Sequence, residues 1–492
     1  MLTLRYMQHL NGVRSRACLL ISVLIALIAA NVMGEDSLKK EAYIAFQKSV
    51  RFYHDTVAIE GGYVFRYAED LRLREGEGVT GLSTVWIQPP GTPAVGLAFL
   101  EAYERTGDAA ALAAAKDAAT CLIRGQLHSG GWSNSIEFEP KVRLTYAYRV
   151  DGPLMPKAKN ITTLDDNKSQ SAIRFLARLD QSLKFSDAKI HEATLYALDA
   201  LVRCQYPNGA WPQGFSGPPE PENFPVLQAS YPKNWSRQFA GDKYVSYYTL
   251  NDNTLVDTLR LMLLSHEIYH DVRYQHSAIQ GGEFILRAQM PDPQPAWAQQ
   301  YDTKMQPTWA RKFEPPAISG GESQKVIETL LILYQETGDT RLMQSAEKAL
   351  SYLKTCLRQD GNIARFQELQ SNRPLYFTRD YKLTYEDNDL PTHYGFIVKS
   401  GLGKLDEKIQ KLSGLAGSKL SDYAARQRKS KSIDRPDEKL VQQVIQNLDE
   451  RGAWVEAGKL SYHQGENLPK KIIDSQTFIK NIDILSRYLS AD

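Results

Sequence analysis

Apolar residues recur at every third or fourth position along most of the chain, with polar residues between them. This spacing places the apolar side chains on one face of a helix, so it predicts amphipathic α-helices. The short stretches Thr106–Asp108 and Thr337–Asp339, each between two such patterns, consist of polar residues and glycine, which is typical of turns. The predicted helices are Ala94–Arg105, Ala109–Arg124, Gln170–Leu183, Asp187–Cys204, Thr254–His270, His276–Ala288, Ser323–Glu336 and Thr340–Arg358.

Short motifs repeat where these helices end. Two apolar residues followed by Arg-x-Gln occur at Leu122–Gln126, Leu201–Gln205 and Ile285–Gln289. A different motif, ending in Thr-Gly-Asp, joins two predicted helices at Tyr103–Asp108 and again at Tyr334–Asp339. One helical hairpin cannot bury its apolar face alone, so repeated hairpins stack into a solenoid or close into a toroid.

The Arg-x-Gln repeats are about 80 residues apart, which leaves room for long loops on one face, where functional sites usually lie. The longest loop, Trp211–Lys243, is rich in proline and aromatic residues, and we expect it to be irregular and to form a wall of a cleft. Further along, the charged run Arg426–Lys431 is expected to be a solvated linker. The predicted units are a catalytic domain at 35–405, a charged linker or helix at 406–436 and a helical C-terminal appendage at 437–492.

The first 34 residues have the features of an export signal. Arg14 and Arg16 precede the apolar run Ala17–Met33, and the first acidic residue is Glu35. The run is short for a membrane span, although a retained anchor is the alternative. Cleavage near Gly34 would remove three arginines and no acid, which changes the formal net charge from +2 to −1. We therefore expect a secreted or periplasmic protein without stable membrane insertion, and no nucleic-acid partner.

The remaining composition excludes several chemistries. Cys121, Cys204 and Cys356 lie on apolar helical patterns and are expected to be buried free thiols, since they form no zinc spacing and no disulfide framework. The nine histidines contain no HExxH motif. No GxSxG, P-loop or dinucleotide fingerprint is present either. Sugar hydrolysis by two carboxylates and cation-assisted elimination remain.

The segment Trp309–Ser323 combines aromatic residues, Arg311, acids and a Pro/Gly-rich turn. Such a mixture suits a groove that stacks sugar rings on aromatic faces and pairs a guanidinium with their carboxylates. The alternative is an ordinary loop in which Arg311 forms a structural ion pair with Glu314. The residues of this segment alone leave both interpretations open.

Two acidic motifs precede predicted helices. Asp165 and Asp166 lie just before the Gln170 helix, and Asp252 lies just before the Thr254 helix. Each acid could simply cap its helix. The other interpretation is a site for a hard cation, because carboxylates at helix starts on one face of a toroid would converge and oxygen ligands suit Ca²⁺.

Several ordered blocks resemble one family. They are Leu250–Asn253, Trp309–Pro315, Ala364–Pro374 and Thr378–Asp380, and the resemblance extends from about Gln47 to Gly401. In order and separation these blocks resemble the family-10 pectate lyases, also called the pectic acid lyase family. The resemblance implies an α/α toroid, an incomplete helical barrel of repeated hairpins, with long irregular loops that form a cleft. It also implies Ca²⁺ dependence and β-elimination of polygalacturonate.

The resemblance also implies roles for individual residues. Arg311 matches the arginine assigned as catalytic base, and Arg379 matches an arginine that binds the substrate carboxylate. Asp165 (or Asp166) and Asp252 match the acids that bind the cation. Further substrate contacts are expected from Lys312, Trp309 and Tyr248. An ordinary arginine has a pKa above about 12, so a purely electrostatic Arg311 is the rival role.

The chain departs from the family pattern at two places. His393 occupies a position where an arginine is usual, 14 residues after Arg379. Histidine is shorter and cannot make the same bidentate contact with a carboxylate, so substrate affinity or uronate preference at His393 is an open question. Lys168 and Gln170 stand where the family has small residues.

The sequence therefore predicts a monomeric, secreted, calcium-dependent pectate lyase that acts on an acidic polysaccharide. One alternative is a glycoside hydrolase of the same helical fold, with Asp252 and Asp302 as its paired acids. The other is a protein that binds uronates without turnover or with altered specificity.

Overall fold

The computed structural model describes residues 37–241, 244–429, 434–465 and 468–490, and α-helices dominate it. The helices are α1 (37–52), α2 (Thr92–Thr106), α3 (Ala109–Arg124), α4 (Pro140–Arg143), α5 (Lys168–Ser182), α6 (Ala188–Arg203), α7 (Thr254–Tyr269), α8 (Val272–Ala288), α9 (Glu322–Thr337), α10 (Thr340–Thr355), α11 (Leu402–Ser413), α12 (Ser418–Lys429), α13 (Glu438–Gln446) and α14 (Ser475–Ser490).

The strands are short and connect the helices. They are β1 (Arg66–Ala68), β2 (Arg74–Glu75), β3 (Thr84–Trp86), β4 (Ser135–Glu137), β5 (Thr162–Thr163), β6 (Gly214–Phe215), β7 (Tyr248–Thr249), β8 (Gln300–Tyr301), β9 (Ala317–Ser319), β10 (Ile363–Ala364), β11 (Phe366–Glu368), β12 (Pro374–Phe377), β13 (Leu383–Thr384), β14 (Ile397–Val398), β15 (Val455–Ala457) and β16 (Lys471–Asp474).

The predicted helices are confirmed as α2, α3 and α5 to α10, with ends that differ by at most four residues. The largest difference is at α8, which begins at Val272 instead of His276. The carboxylate of Asp271 accepts a hydrogen bond from the backbone N–H of Arg273 and so starts the helix one turn early. The apolar pattern begins only after this polar first turn, so it could not show the true start.

The helices form two layers. The inner helices α2, α5, α7 and α9 contact one another in that order, and the outer helices α3, α6, α8 and α10 do the same. Each inner helix also packs against the outer helix that follows it in the chain. Their apolar faces share one continuous core. The predicted α/α toroid, an incomplete helical barrel, is confirmed.

Short strand pairs bring the loops together at one end of the toroid. Each inner helix follows a strand that pairs antiparallel with a strand located after the corresponding outer helix: β3 with β4, β5 with β6, β7 with β8 and β9 with β11. In β7 and β8, for example, Tyr248 lies opposite Tyr301. These pairs hold the loops at the N-terminal ends of the inner helices, and the candidate site lies there.

The repeated glutamine of the Arg-x-Gln motif links neighbouring repeats. The side-chain amide of Gln126 donates to the carbonyls of Gly130, in its own turn, and Ala193, in α6. Gln205 likewise bridges Gly209 and Ser277. Gln289 makes the same pair of bonds to Pro295 and Ser345. The motif detected in the sequence therefore joins each outer helix to the next one.

The C-terminal segment shares a sheet and the core with the N-terminal part of the chain. Strand β16 pairs with β15 and β1, and α14 packs against α2. The Phe478 ring stacks on Tyr53 with 3.7 Å between ring centroids. The Trp454 indole donates to the carbonyl of Val444, ten residues earlier, as Trp132 does to Leu122 and Trp211 to Leu201. The division into domains stays a prediction.

Several smaller predictions concern these regions. The loop predicted at Trp211–Lys243 is irregular apart from β6 and a single 3₁₀ turn, over the residues described. The three cysteines predicted to be free and buried are confirmed. The predicted signal peptide, residues 1–34, lies outside the described residues, as do positions 430 and 431 of the charged run. In the part of the chain that is described, no helix is long and apolar enough to cross a membrane.

Candidate active site

Two turns of the same shape precede α5 and α7. Asp166 and Asn167 have φ angles of 47° and 59°, and Asp252 and Asn253 have 48° and 60°. Two successive left-handed residues that are not glycine are costly, and such strain is typical of functional sites. No side-chain cap bond forms at the start of α5 or α7. The capping role considered for these acids is therefore not observed.

The two turns bring three carboxylates together. Oxygen atoms of Asp165, Asp166 and Asp252 all lie within 4.8 Å of one another. Burial first, and then the neighbouring charges of Asp166 and Asp165, raise the pKa of Asp252 to about 8. The pKa of Asp166 is raised too, by burial and by Asp165. Crowded oxygen donors whose charges oppose one another fit a hard divalent cation, because the cation would relieve their repulsion.

A buried lysine contacts the same carboxylates. The Lys168 side chain is 2% exposed, and its Nζ lies 3.3 Å from Oδ2 of Asp165 and 3.3 Å from Oδ2 of Asp166. Glu77 is the next acid, at 3.9 Å. Lys168 is one of the two positions where the sequence departs from the family pattern around Asp165. Two of the three clustered carboxylates, Asp165 and Asp166, are thus already paired with the Lys168 side chain.

Arg311 faces this cluster from the loop that follows β8. Its Nη2 lies 3.3 Å from Oδ2 of Asp252 and 3.6 Å from Oδ1 of Asp165. Its Nη1 lies 3.4 Å from Oε1 of Glu314, and its Nε donates to the Tyr244 hydroxyl at 3.1 Å. Burial by itself lowers the pKa of Arg311, but Glu314 and Asp252 raise it more, so the guanidinium is held in its charged form.

Glu314 is the buried ion-pair partner of Arg311. Its Oε1 accepts hydrogen bonds from the Asn251 amide and the Tyr394 hydroxyl. Its Oε2 is buried and has no hydrogen-bond partner among the described residues. Burial raises the pKa of Glu314, and Arg311 opposes this shift. Because an unpaired buried charge is costly, this carboxylate favours keeping the Arg311 guanidinium beside it.

A second arginine, Arg365, lies in the same network and was not among the predicted site residues. It donates to Glu322 at 2.7 Å and lies over the ring of Tyr394, 4.8 Å from its centroid. The Gln299 amide links Glu322 to the Tyr394 hydroxyl. The sequence did contain a signal, because Arg365 is a charged residue between the buried positions Ala364 and Phe366. The sequence could not show that Arg365 joins the network of Gln299 and Tyr394, because those residues lie far from it in the chain.

The predicted substrate-binding residues occupy different positions. Lys312 is exposed and its Nζ lies 3.5 Å from the ring centroid of Tyr381. His393 is exposed, with its ring edge-to-face against Phe313 at 5.0 Å. Arg379 is 72% exposed and pairs with Asp389, away from the direct contacts of Arg311.

Two of the predicted aromatic contacts are buried. Trp309 is 7% exposed, and its indole donates to the carbonyl of Ser236. Tyr248 is fully buried against Tyr206 and Phe284, so the structure gives its ring no surface for a polysaccharide. Periodicity could not separate a buried aromatic residue of β7 from an exposed one, because the strand has only two residues.

The two acids of the hydrolase alternative have different contacts. Asp302 accepts hydrogen bonds from the backbone N–H groups of Lys304 and Gln306, within its own turn. Asp252 is instead paired with Arg311. The described structure therefore favours an arginine among carboxylates over two catalytic acids.

The region that holds most of this site matches a known family. Residues 126–359 match the model of the family described as pectic acid lyase. This part of the chain is therefore similar to the pectic acid lyase family. The resemblance predicted from the sequence motifs is confirmed, and so is the enzyme class, a polysaccharide lyase. The matched residues include the acid cluster and Arg311, whereas Arg365, Arg379 and His393 lie beyond them.

Two solved structures are similar to this chain at low identity. A family 10 polysaccharide lyase from Cellvibrio cellulosa is 19% identical, with 66% of this chain and 98% of that chain covered and a TM-score of 0.46. A GH76 α-mannanase from Bacteroides thetaiotaomicron is 10% identical, with 91% and 95% covered and a TM-score of 0.41. A comparison with curated protein sequences gives no match.

Proposed function

We propose that the protein is a calcium-dependent pectate lyase that cleaves α-1,4-polygalacturonate by β-elimination and releases unsaturated oligogalacturonates. The observation that carries the proposal is the position of Arg311. Its guanidinium lies 3.3 Å from Asp252 and 3.6 Å from Asp165, beside three carboxylates that suit a hard cation. These residues all lie within the segment that matches the pectic acid lyase family.

The reaction explains why both charges are needed. β-Elimination removes the proton at C5 of a uronate, next to a carboxylate that opposes further negative charge. The C4–C5 double bond forms as the bond from C4 to the leaving oxygen breaks, and that oxygen takes up a proton. A Ca²⁺ ion held by Asp165, Asp166 and Asp252 would supply Lewis-acid stabilisation of that charge. Arg311 adds a fixed guanidinium on the same side, preorganised by Glu314 and Tyr244.

The charge of Arg311 favours an electrostatic role. Glu314 and Asp252 hold its pKa above the ordinary value, which supports a charged guanidinium that would donate hydrogen bonds to the substrate over one that accepts the C5 proton. Removal of that proton by Arg311 itself would require these carboxylates to be neutralised and the pH to be alkaline. A pH–rate profile therefore distinguishes the two roles.

Substrate binding is assigned to exposed basic side chains near Arg311. Lys312 follows it in the chain, and His393 packs on Phe313 of the same loop. Arg379 is exposed two residues before Tyr381, whose ring contacts both Lys312 and His393. We assign these three side chains to substrate carboxylates of a secreted enzyme acting on an acidic polymer. The enzyme is proposed to act as a monomer.

An absorbance assay tests the function. Purified protein is mixed with polygalacturonate and either Ca²⁺ or a chelator, and unsaturated ends are followed in the ultraviolet. We expect turnover with Ca²⁺ and none with chelator, and a loss of at least about 10³-fold in kcat for Arg311→Ala. Arg273→Ala, which changes an exposed arginine of outer helix α8, is the control and should retain full activity. Chelator-resistant cleavage without unsaturated ends would overturn the proposal.

A further inference from the structure

A groove of about 720 Å³ opens beside the Arg311 loop. Trp309 and Lys312 of that loop form part of its wall, and Tyr381, Lys382 and Tyr385 form another part. The lining combines aromatic rings with three cationic side chains and includes no acidic residue among those described. This composition suits an anionic sugar, whose ring faces pack on aromatic residues while its carboxylate pairs with cations.

The cations of the groove are accessible. Lys382 is 80% exposed and pairs with Asp380, and Arg237 is 51% exposed and pairs with Glu368. Lys312 lies over the Tyr381 ring. Exposed ion pairs contribute little free energy, so a bound carboxylate can recruit these groups at small cost.

We propose that this groove is a subsite for a further uronate unit of the polysaccharide whose reacting unit lies at Arg311. The inference rests on the proposed function, because it assumes that a uronate polymer binds at Arg311. The two places are continuous: Trp309 and Lys312 flank Arg311 in the chain and line the groove. A polymer held by Arg311 therefore extends across the Tyr381 and Lys382 wall.

Charge reversal at Lys382 tests the subsite. We expect Lys382→Glu to raise KM for long oligogalacturonates about fivefold or more with kcat unchanged, and to affect trigalacturonate less. The matched control is Lys348→Glu, which reverses an exposed lysine that is also ion-paired, on outer helix α10. An equal KM for Lys382→Glu and the wild-type protein at every chain length would overturn the subsite.

Calorimetry with hexagalacturonate separates this inference from the proposed function. If the wild-type protein binds the oligomer without cleaving it and Lys382→Glu weakens binding, the subsite stands and the lyase activity does not. If cleavage occurs and Lys382→Glu binds as tightly as wild type, the lyase activity stands and the subsite does not. If the wild-type protein does not bind the oligomer, both are overturned.

An independent observation concerns Lys168 at the acid cluster. The cation is almost fully buried and is the first residue of α5, where the helix dipole disfavours positive charge. Burial of an ammonium is also costly unless it is paired. The carboxylates of Asp165 and Asp166, each at 3.3 Å, and of Glu77, at 3.9 Å, offset these two costs.

We infer that Lys168 is a resident counter-ion that lowers the affinity of the acid cluster for Ca²⁺. This inference also rests on the proposed function, since Asp165 and Asp166 are the acids assigned to the metal. Their Oδ2 atoms already interact with a positive charge, so an incoming cation gains less from them. The protein should therefore need a relatively high Ca²⁺ concentration to fill this site.

Calcium binding without substrate tests the inference. We expect Lys168→Met, which keeps the chain length and removes the charge, to bind Ca²⁺ at least about tenfold more tightly by calorimetry. Lys168→Gln serves as a second uncharged variant if the first does not fold, and Lys168→Arg should bind as weakly as wild type. The control is Lys325→Met, an exposed lysine of α9.

The outcomes separate the two ideas. Equal affinity of the wild-type protein and both uncharged variants overturns the role of Lys168, even if the enzyme is calcium-dependent. A calcium-independent wild-type lyase whose uncharged variants bind Ca²⁺ supports the role of Lys168 and overturns calcium dependence. No Ca²⁺ binding by any variant overturns both.

Discussion

Arg311 forms the structural ion pair that was one of the two interpretations of its sequence, and the sugar-binding interpretation stays a prediction. It forms the ion pair with Glu314 expected of an ordinary loop, and it also reaches Asp252 at 3.3 Å across the chain. The structural pair with Glu314 is what aims the guanidinium at the acid cluster. Local sequence contained the first contact, three residues away, and could not contain the second, 59 residues away.

Asp252 makes the metal-free protein sensitive to pH. Its pKa is about 8 in the folded protein and 3.8 ordinarily, so between these values the folded state holds a proton that the unfolded state has lost. The free energy of unfolding therefore decreases as pH rises from about 4 to 8 through this group. Urea unfolding in chelator should give Asp252→Asn a stability advantage over wild type that is small at pH 5 and larger at pH 9. A constant difference would contradict the shift.

At the scale of elements, the helices were predicted well and the strands were not. A helix of about fifteen residues repeats its apolar pattern several times, whereas β5, β6, β7 and β8 have two residues each and show no period. The Arg-x-Gln repeat was visible in the sequence, but its bonds to the next outer helix were not, because they join residues 56 to 72 positions apart.

The glycine that follows the second repeat tests this packing between elements. Gly209 has φ +89°, and a Cβ there would lie 2.0 Å from the carbonyl oxygen of Gln280 in α8. Gly107 has a similar φ of +69° with nothing within 4 Å of an added Cβ. Gly107→Ala should cost about 1 kcal/mol through backbone strain alone.

Gly209→Ala should cost at least ~2 kcal/mol more, because backbone atoms of α8 must move. Chemical denaturation of both variants measures the difference. If the two substitutions destabilise equally, α8 does not approach Gly209 as closely as described.

At the scale of the whole molecule, the two ends of the chain belong to one core. The rings of Tyr53, near the N-terminus, and Phe478, near the C-terminus, are stacked. The ring of Phe99 in α2 contacts the Phe478 ring edge-to-face. The sequence suggested a docked appendage after the charged run, and this division into domains stays a prediction. Neither the pairing of β16 with β1 nor the packing of α14 on α2 has a local signal.

Phe478 therefore tests how cooperatively the chain unfolds. We expect Phe478→Ala, which removes a buried ring, to cost about 3–5 kcal/mol and to lower the temperature of one transition that includes the active site. Tyr462→Ala, in an exposed ring of the same segment, should change little. Scanning calorimetry with residual lyase activity as a second probe gives the measurement. Two separate transitions would indicate an independent appendage.

The sequence by itself determined the helical class, the limits of the main helices, the family resemblance and the residue types of the site. These depend on short-range periodicity and on motifs of a few residues. Only the tertiary structure decided that Tyr248 is buried, that Lys168 enters the acid cluster, that Arg365 joins the network and that the chain ends share a core. Each of these depends on which side chains meet after packing, and packing joins residues far apart in the chain.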